Sequence, residues 1–163
     1  MNPLARQLLE AIPDLGDDDV EVPAPDPGAQ IRAEGAARAR MEGANMAGWD
    51  MHGAHMPYVV LSDADLSDAD LRRANLISAD LSHANLEGAD LYAAELYAAS
   101  LVGANLRDAN LEGANLDRAN LRGADMRGAN LNGTHLNGTN LEGAIGFVAT
   151  GRRGRAPRRD RFD

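Results

Sequence analysis

Ala64-Asp65-Leu66-Ser67-Asp68, Ala69-Asp70-Leu71-Arg72-Arg73, Ala74-Asn75-Leu76-Ile77-Ser78: these three units set the reading frame for the chain from Ala44 to Gly143. Over that span twenty units follow one another without slipping phase, and every fifth residue from Met46 to Leu141 is Leu or Met. Two residues before it stands Ala in sixteen units, the exceptions being Trp49, Val59, Thr134 and Thr139. An α-helix turns about 100° per residue, so a five-residue step would spread the leucines around the whole cylinder. A flat strand alternates faces, so an odd spacing would send successive leucines to opposite sides. One backbone buries them all: a short extended triad with Ala and Leu inward and Asp or Asn outward, then two residues that turn a corner. The second corner residue is Gly in ten units, Gly88, Gly103 and Gly113 among them, as a turn with positive φ at that position wants. Repeated turning in one sense makes a coil.

With Ala84-Asn85-Leu86-Glu87-Gly88 and Ala119-Asn120-Leu121-Arg122-Gly123 alongside the units above, the sequence resembles the pentapeptide-repeat family, whose motif is Ala-(Asp/Asn)-Leu-X-X. The resemblance covers about two-thirds of the chain. It implies an all-β solenoid, a right-handed quadrilateral β-helix with four pentapeptides to each coil. Twenty units then make about five coils, and at a strand spacing of about 4.8 Å the rod core is about 24 Å long. Function varies far more than fold within such families.

Composition narrows the chemistry. The 163 residues suffice for one domain with tails, and 4% aromatic content means a core of Leu, Ala and Met. Each buried Leu contributes roughly 2 kcal/mol, so the stacked column forms a substantial core. There is no Cys, which removes disulfides, thiol nucleophiles and cysteine metal sites and suits a reducing compartment. There is no Lys either, all sixteen basic residues being Arg, so Schiff-base chemistry and a P-loop are out. The sequence has no apolar run of membrane-spanning length, and the acidic, Pro-containing start does not read as a signal peptide. The expected compartment is the cytoplasm.

Three parts are expected: 1–38 as a short helix, acidic Pro-rich linker and cap, 39–147 as the β-helix, and 148–163 as an Arg-rich flexible tail. Asn2 as N-cap and Pro3 at the first position start a helix that places Leu4, Leu8 and Ile12 on one face. Pro13 stops it, and a helix this short needs a surface, either its own rod or a partner's groove. Asp17-Asp18-Asp19 and Pro23, Pro25 and Pro27 make an extended acidic spacer. The Ala- and Arg-rich 31–40 suits a lid over the first coil, whose edge must be covered. Trp49 stands in a slot meant for Ala, as a packing contact with that cap.

The outer surface can be followed column by column, because residues twenty apart stack in a four-sided coil. One corner carries Pro57, Ile77 and Tyr97 in successive coils, with Tyr58 beside Pro57 and Tyr92 and Val102 on the flanking sides. Such an apolar cluster on a polar rod reads as a protein-binding surface, unless the amino-terminal helix covers it. A second column carries Asp65, Asp68, Glu87, Asp108 and Asp125 against Arg107 and Arg127, an acidic face. A third stacks Asp50, Asp70 and Asp90. A straight column encloses a cation poorly, so hydrogen bonding to local turns is the expected use of these carboxylates, and no metal site is assigned.

Function is expected in binding rather than catalysis. His52, His55, His83 and His135 lack zinc spacing, the corner serines have no positioned base, and convex columns offer no cleft. No cofactor is implied. The expected role is a non-catalytic protein-binding scaffold or adaptor whose partner is another protein of unspecified identity. The alternative is a DNA-mimicking inhibitor or protector of DNA gyrase, since some family members bind gyrase that way. Residues 44–143 hold fourteen acidic residues and six Arg, net −8, a little over half the charge density of duplex DNA at about one per 1.7 Å. The gyrase-inhibiting members pair two rods end to end through a hydrophobic C-terminal segment. Here Ala144-Ile145-Gly146-Phe147-Val148 is brief, so the chain is a monomer or an end-to-end dimer. The tail Arg152, Arg153, Arg155, Arg158, Arg159 and Arg161 is the one segment suited to an acidic partner or nucleic acid.

Overall fold

Every backbone N–H needs an acceptor, and an interior five-residue unit with Asp or Asn at its outward position supplies one for each of its five. The computed structural model describes residues 40–146, and the unit 64–68 illustrates the accounting. Ala64 N–H closes a tight turn on Leu61 O at 3.2 Å. Asp65 N–H donates back to Ala44 O of the preceding coil at 2.9 Å, and Leu66 N–H donates forward to Asn85 O of the next at 2.7 Å. Asp68 N–H donates forward to Glu87 O at 2.9 Å. The remaining donor, Ser67 N–H, lies at the corner and is taken by the Asp65 side chain, with Oδ1 at 3.1 Å. The outward Asp or Asn is therefore a turn cap, which explains why the unit selects those two residues.

Repetition of this pattern gives eighteen parallel bridges, each joining a residue to the one twenty further on, from Arg40–Val60 to Asp125–Ile145. Four units thus complete one coil, and the register already holds at Arg40. The turn-closing bond recurs at every corner from Met41–Ala44 to Leu141–Ala144. Every fifth residue from Gly43 to Gly143 has φ between 53° and 77°, the positive φ that a type II turn requires at its third position. Ten of those residues are not glycine.

Inward positions form one apolar core. The inward Ala and Leu from Ala64 to Ala124 are 0–1% exposed, and among the described residues no polar side chain is buried. Trp49 is partly buried and packs against the same core. At the other end Leu131, Leu136 and Leu141 are only partly buried. There Thr134 and Thr139 replace Ala, and each hydroxyl donates to a carbonyl of the coil below, Leu111 O and Leu116 O, at 2.8 Å. An inward hydroxyl is tolerated because it is satisfied. Among the described residues no helix is long and apolar enough to cross a membrane. The expected helix of Leu4, Leu8 and Ile12, the lid before residue 40, Phe147 and the Arg tail from Arg152 to Arg161 lie outside the described residues.

Candidate functional site

The four corners of the coil differ in the two residues that turn them and in the outward residue that caps each turn. Backbone bonds Tyr58 N–H to Ile77 O and Ser78 N–H to Tyr97 O, both 2.9 Å, stack one corner in register. Pro57, Ile77 and Tyr97 thereby occupy one column, followed by Asp117 through the 2.9 Å bond from Ala98 N–H to Asp117 O. Tyr58 is 58% exposed, while Pro57, Ile77 and Tyr97 are half-buried. The apolar stripe is three coils tall and stops at Asp117.

Tyr92 and Val102 do not join that stripe. Each is five residues from Tyr97, hence one corner away in opposite directions, and the two stand on diagonal corners. Tyr92 is 41% exposed. The six apolar residues form a compact column of four with two outliers.

Three features of this corner go beyond the residue types. The Arg118 guanidinium sits 5.7 Å from the centroid of the Tyr97 ring, a cation–π arrangement that fixes the ring at the upper end of the stripe. Tyr58, Ser78 and Ala98 all hold positive φ here, at 63°, 56° and 57°, where an L side chain is strained by roughly 1–2 kcal/mol. The turn N–H group of Tyr97 also finds no acceptor among the described residues, because the residue two before it is Glu95 rather than Asp or Asn; on the adjacent corner the same holds at Ser62 and Val102, which follow Val60 and Ser100. His55 likewise precedes the corner without an Asp or Asn cap, but the residue it would cap is Pro57, which has no N–H. The first and third features are legible in sequence as Tyr97 and Arg118 one coil and one residue apart, and as missing Asp or Asn.

The acidic columns are occupied with their own backbone. Asp50, Asp70 and Asp90 each accept the N–H two residues on, at 3.1 Å. Arg72 lies across two of them, donating from Nε to Asp70 Oδ1 at 2.8 Å and standing 3.7 Å from Asp90 Oδ2. Its hydrogen bond holds the Asp70 carboxyl below the usual range. Asp65 is lowered by the Ser67 hydroxyl and N–H, and Asn85 Nδ2 donates to it at 3.0 Å. Asn105 Nδ2 in turn donates to Asn85 Oδ1 at 2.9 Å, so the column is a ladder. Asp125 is lowered by Arg127, whose Nε donates at 2.9 Å. Asp68 and Asp108 lean over the next coil, where Gly88 and Gly128 leave room that a Cβ would fill. Glu87 accepts from Asn105 Nδ2 at 3.0 Å. Of the histidines, His52 Nδ1 is 4.0 Å from Asp70 Oδ1 and His55 Nε2 is 3.4 Å from Asn75 Nδ2. Among the described residues no group of three or more His, Asp or Glu is placed to hold a metal ion.

Comparison with known proteins bears on the fold. The family model described as "Pentapeptide repeats" matches residues 37–73, 69–108 and 104–143. A comparison with curated proteins finds no match. Among solved structures, a pentapeptide repeat protein (Rfr23) from the cyanobacterium Cyanothece 51142 is 34% identical, with a TM-score of 0.64 over 66% of this chain and 87% of that one. HetL, a pentapeptide repeat protein involved in heterocyst differentiation regulation in Nostoc sp. strain PCC 7120, is 38% identical with a TM-score of 0.40, over 66% of this chain and 53% of its own. QnrB1, a plasmid-mediated fluoroquinolone resistance protein, is 20% identical with a TM-score of 0.39, over 64% of this chain and 61% of its own. The likeness to the Cyanothece protein makes the coil a right-handed β-helix, and the two weaker superpositions carry no argument.

Proposed function

Because the chain belongs to the pentapeptide-repeat family, we propose that it is a non-catalytic, cytoplasmic protein-binding scaffold that docks a partner on the corner formed by Pro57, Tyr58, Ile77 and Tyr97. One observation carries the reading: an apolar stripe three coils tall stands on a rod whose other outward positions are mostly polar, with Tyr58 kept exposed at φ 63°. Strain of that kind persists where the side chain is needed. Aromatic anchors surrounded by polar groups are the usual centre of a binding surface. Tyr92 and Val102 would touch a partner only if it wraps around the neighbouring corners. In this reading 39–147 is the binding rod, and 1–38 and 148–163 are its flanking segments.

The test is a paired substitution, Ile77→Asp with Tyr97→Ala, followed by affinity purification against the unaltered chain. Partners that depend on the corner are lost, each anchor contributing about 2 kcal/mol or more. An unchanged set of partners defeats the reading.

Gyrase binding by DNA mimicry is the second reading, favoured by the net charge of −8 over 44–143. Arg72 on Asp70 and Asp90, and Arg127 on Asp125, dilute that field locally. Inhibition of supercoiling, with relief on reversing Asp65, Asp68, Glu87, Asp108 and Asp125 to Asn or Gln, would support it. No effect at high protein concentration would remove it.

A further inference from the structure

We infer that in the free chain the docking corner is covered by the chain's own segment Leu4–Ile12, so that a partner gains access by displacing it. The inference rests on the docking reading above and adds its regulation. Two measures of length agree. Leu4, Leu8 and Ile12 recur every four residues, the spacing that a helix would turn into three apolar anchors on one face over about 12 Å. Tyr58, Ile77 and Tyr97 give three anchors over two coil steps, about 10 Å. Asp117 and Asn137 continue the column as polar residues, so the surface ends where the segment would.

The tether fits as well. The described residues start at Arg40, which bridges Val60, two residues beyond Tyr58. The amino-terminal segment therefore departs within one coil of the stripe's lower end. Twenty-seven residues separate Ile12 from Arg40, enough to span about 30 Å as a random coil and more where the Pro-rich acidic stretch is extended. That exceeds the distance to any point on the stripe, and the covalent link makes the contact intramolecular, which raises the segment's effective concentration at the corner. Apolar side chains that are individually weak then occupy the corner for most of the time.

Because the chain contains no cysteine, introduced pairs report this contact without background. In the full chain at dilute concentration, Leu8→Cys with Ser78→Cys forms an intramolecular disulfide at least about ten-fold faster than Leu8→Cys with Glu87→Cys, which stands on the diagonal corner. Adding Ile77→Asp to the first pair brings its rate down to that of the second. Equal rates for the two pairs overturn the inference, as does a product linked only between molecules, which would seat the segment on a second copy. Failure here is separable from failure of the docking reading. If the disulfide does not form but Ile77→Asp with Tyr97→Ala loses its partners, only the cover is wrong. If it forms while the partners persist, the corner is an intramolecular seat and the docking reading falls.

Discussion

The stretches 54–83 and 119–143 share a backbone, a register and an apolar lining, and they differ at the left-handed corner position. In the first, that position is Tyr58, Asp63, Asp68, Arg73, Ser78 and His83 in turn; in the second it is Gly123, Gly128, Gly133, Gly138 and Gly143. The glycine-filled stretch is what the coil needs for itself, since glycine meets a positive φ without strain. The other carries six consecutive side chains that the backbone does not ask for, each held against roughly 1–2 kcal/mol. The core contrasts as well, with Leu61 to Leu81 at 0–1% exposure and Leu131, Leu136 and Leu141 only partly covered by described residues. The stretch 54–83 thus carries side chains at its corners over a fully buried lining, whereas the corners of 119–143 are all glycine.

The largest expected effect probes the core side of that contrast. Leu86→Ala, in a site with no exposure, should destabilise the rod by about 2–5 kcal/mol in a denaturant titration, because a closed lattice of coils cannot collapse into the cavity. Leu136→Ala, half-covered in the last coil, should cost about 1 kcal/mol. Equal losses would mean that the end coil is as tightly packed as the middle. Next in size is the hydrogen-bond ladder. Asn85 caps Glu87 N–H at 3.4 Å, accepts from Asn105 at 2.9 Å and donates to Asp65 at 3.0 Å. Asn140 caps Glu142 N–H at 3.0 Å and makes no ladder bond among the described residues. Asn85→Leu should therefore cost about 2 kcal/mol and Asn140→Leu about half that, measured in the same titration.

The repeat itself was legible because it needs no tertiary information: an odd spacing of Leu has one geometric solution, and the bridges from each residue to the one twenty on follow it. The use of Asp50, Asp70 and Asp90 as turn caps was also foreseeable, since Asp and Asn side chains bond the backbone two residues on. The corner was legible only in part. Pro57, Ile77 and Tyr97 align once four units make a coil, but the placement of Arg118 over the Tyr97 ring depends on a side chain one coil away choosing that rotamer. Nor does a list of outward apolar residues separate Tyr92 and Val102 from the stripe unless the sides of the coil are counted.

Acid sharpens the comparison more gently. Asp65 and Asp70 are held below the ordinary carboxylate range in the folded chain, by Ser67 and by Arg72 respectively. A depressed folded value means the stabilisation is complete above the unfolded value of about 3.9 and is lost as pH falls through the folded one. The only carboxylate within 129–143 is Glu142, which stands 3.7 Å from Arg122. Below about pH 4, amide exchange should therefore accelerate more over 64–72 than over 129–143. Uniform acceleration would show that these carboxylates do not distinguish the two regions.

The smallest effect bears most directly on why the regions differ. Ala98 holds φ 57° with a side chain too short to reach a partner, and it adjoins Tyr97. Ala98→Gly removes the left-handed strain, roughly 1–2 kcal/mol, and adds back roughly 0.5–1 kcal/mol of unfolded-chain entropy. The expected net is a gain of about 0.5–1 kcal/mol, and Gly123→Ala should lose about as much, both read from the denaturation midpoint. A gain at Ala98 would show that the coil itself is better served by glycine, leaving the retained side chains of the first region to be explained by what touches them from outside. A loss would mean that the methyl group packs favourably on its neighbours. In that event the strain at Tyr58, Ser78 and Ala98 would be repaid within the rod, and the argument from strain to docking would lose its force.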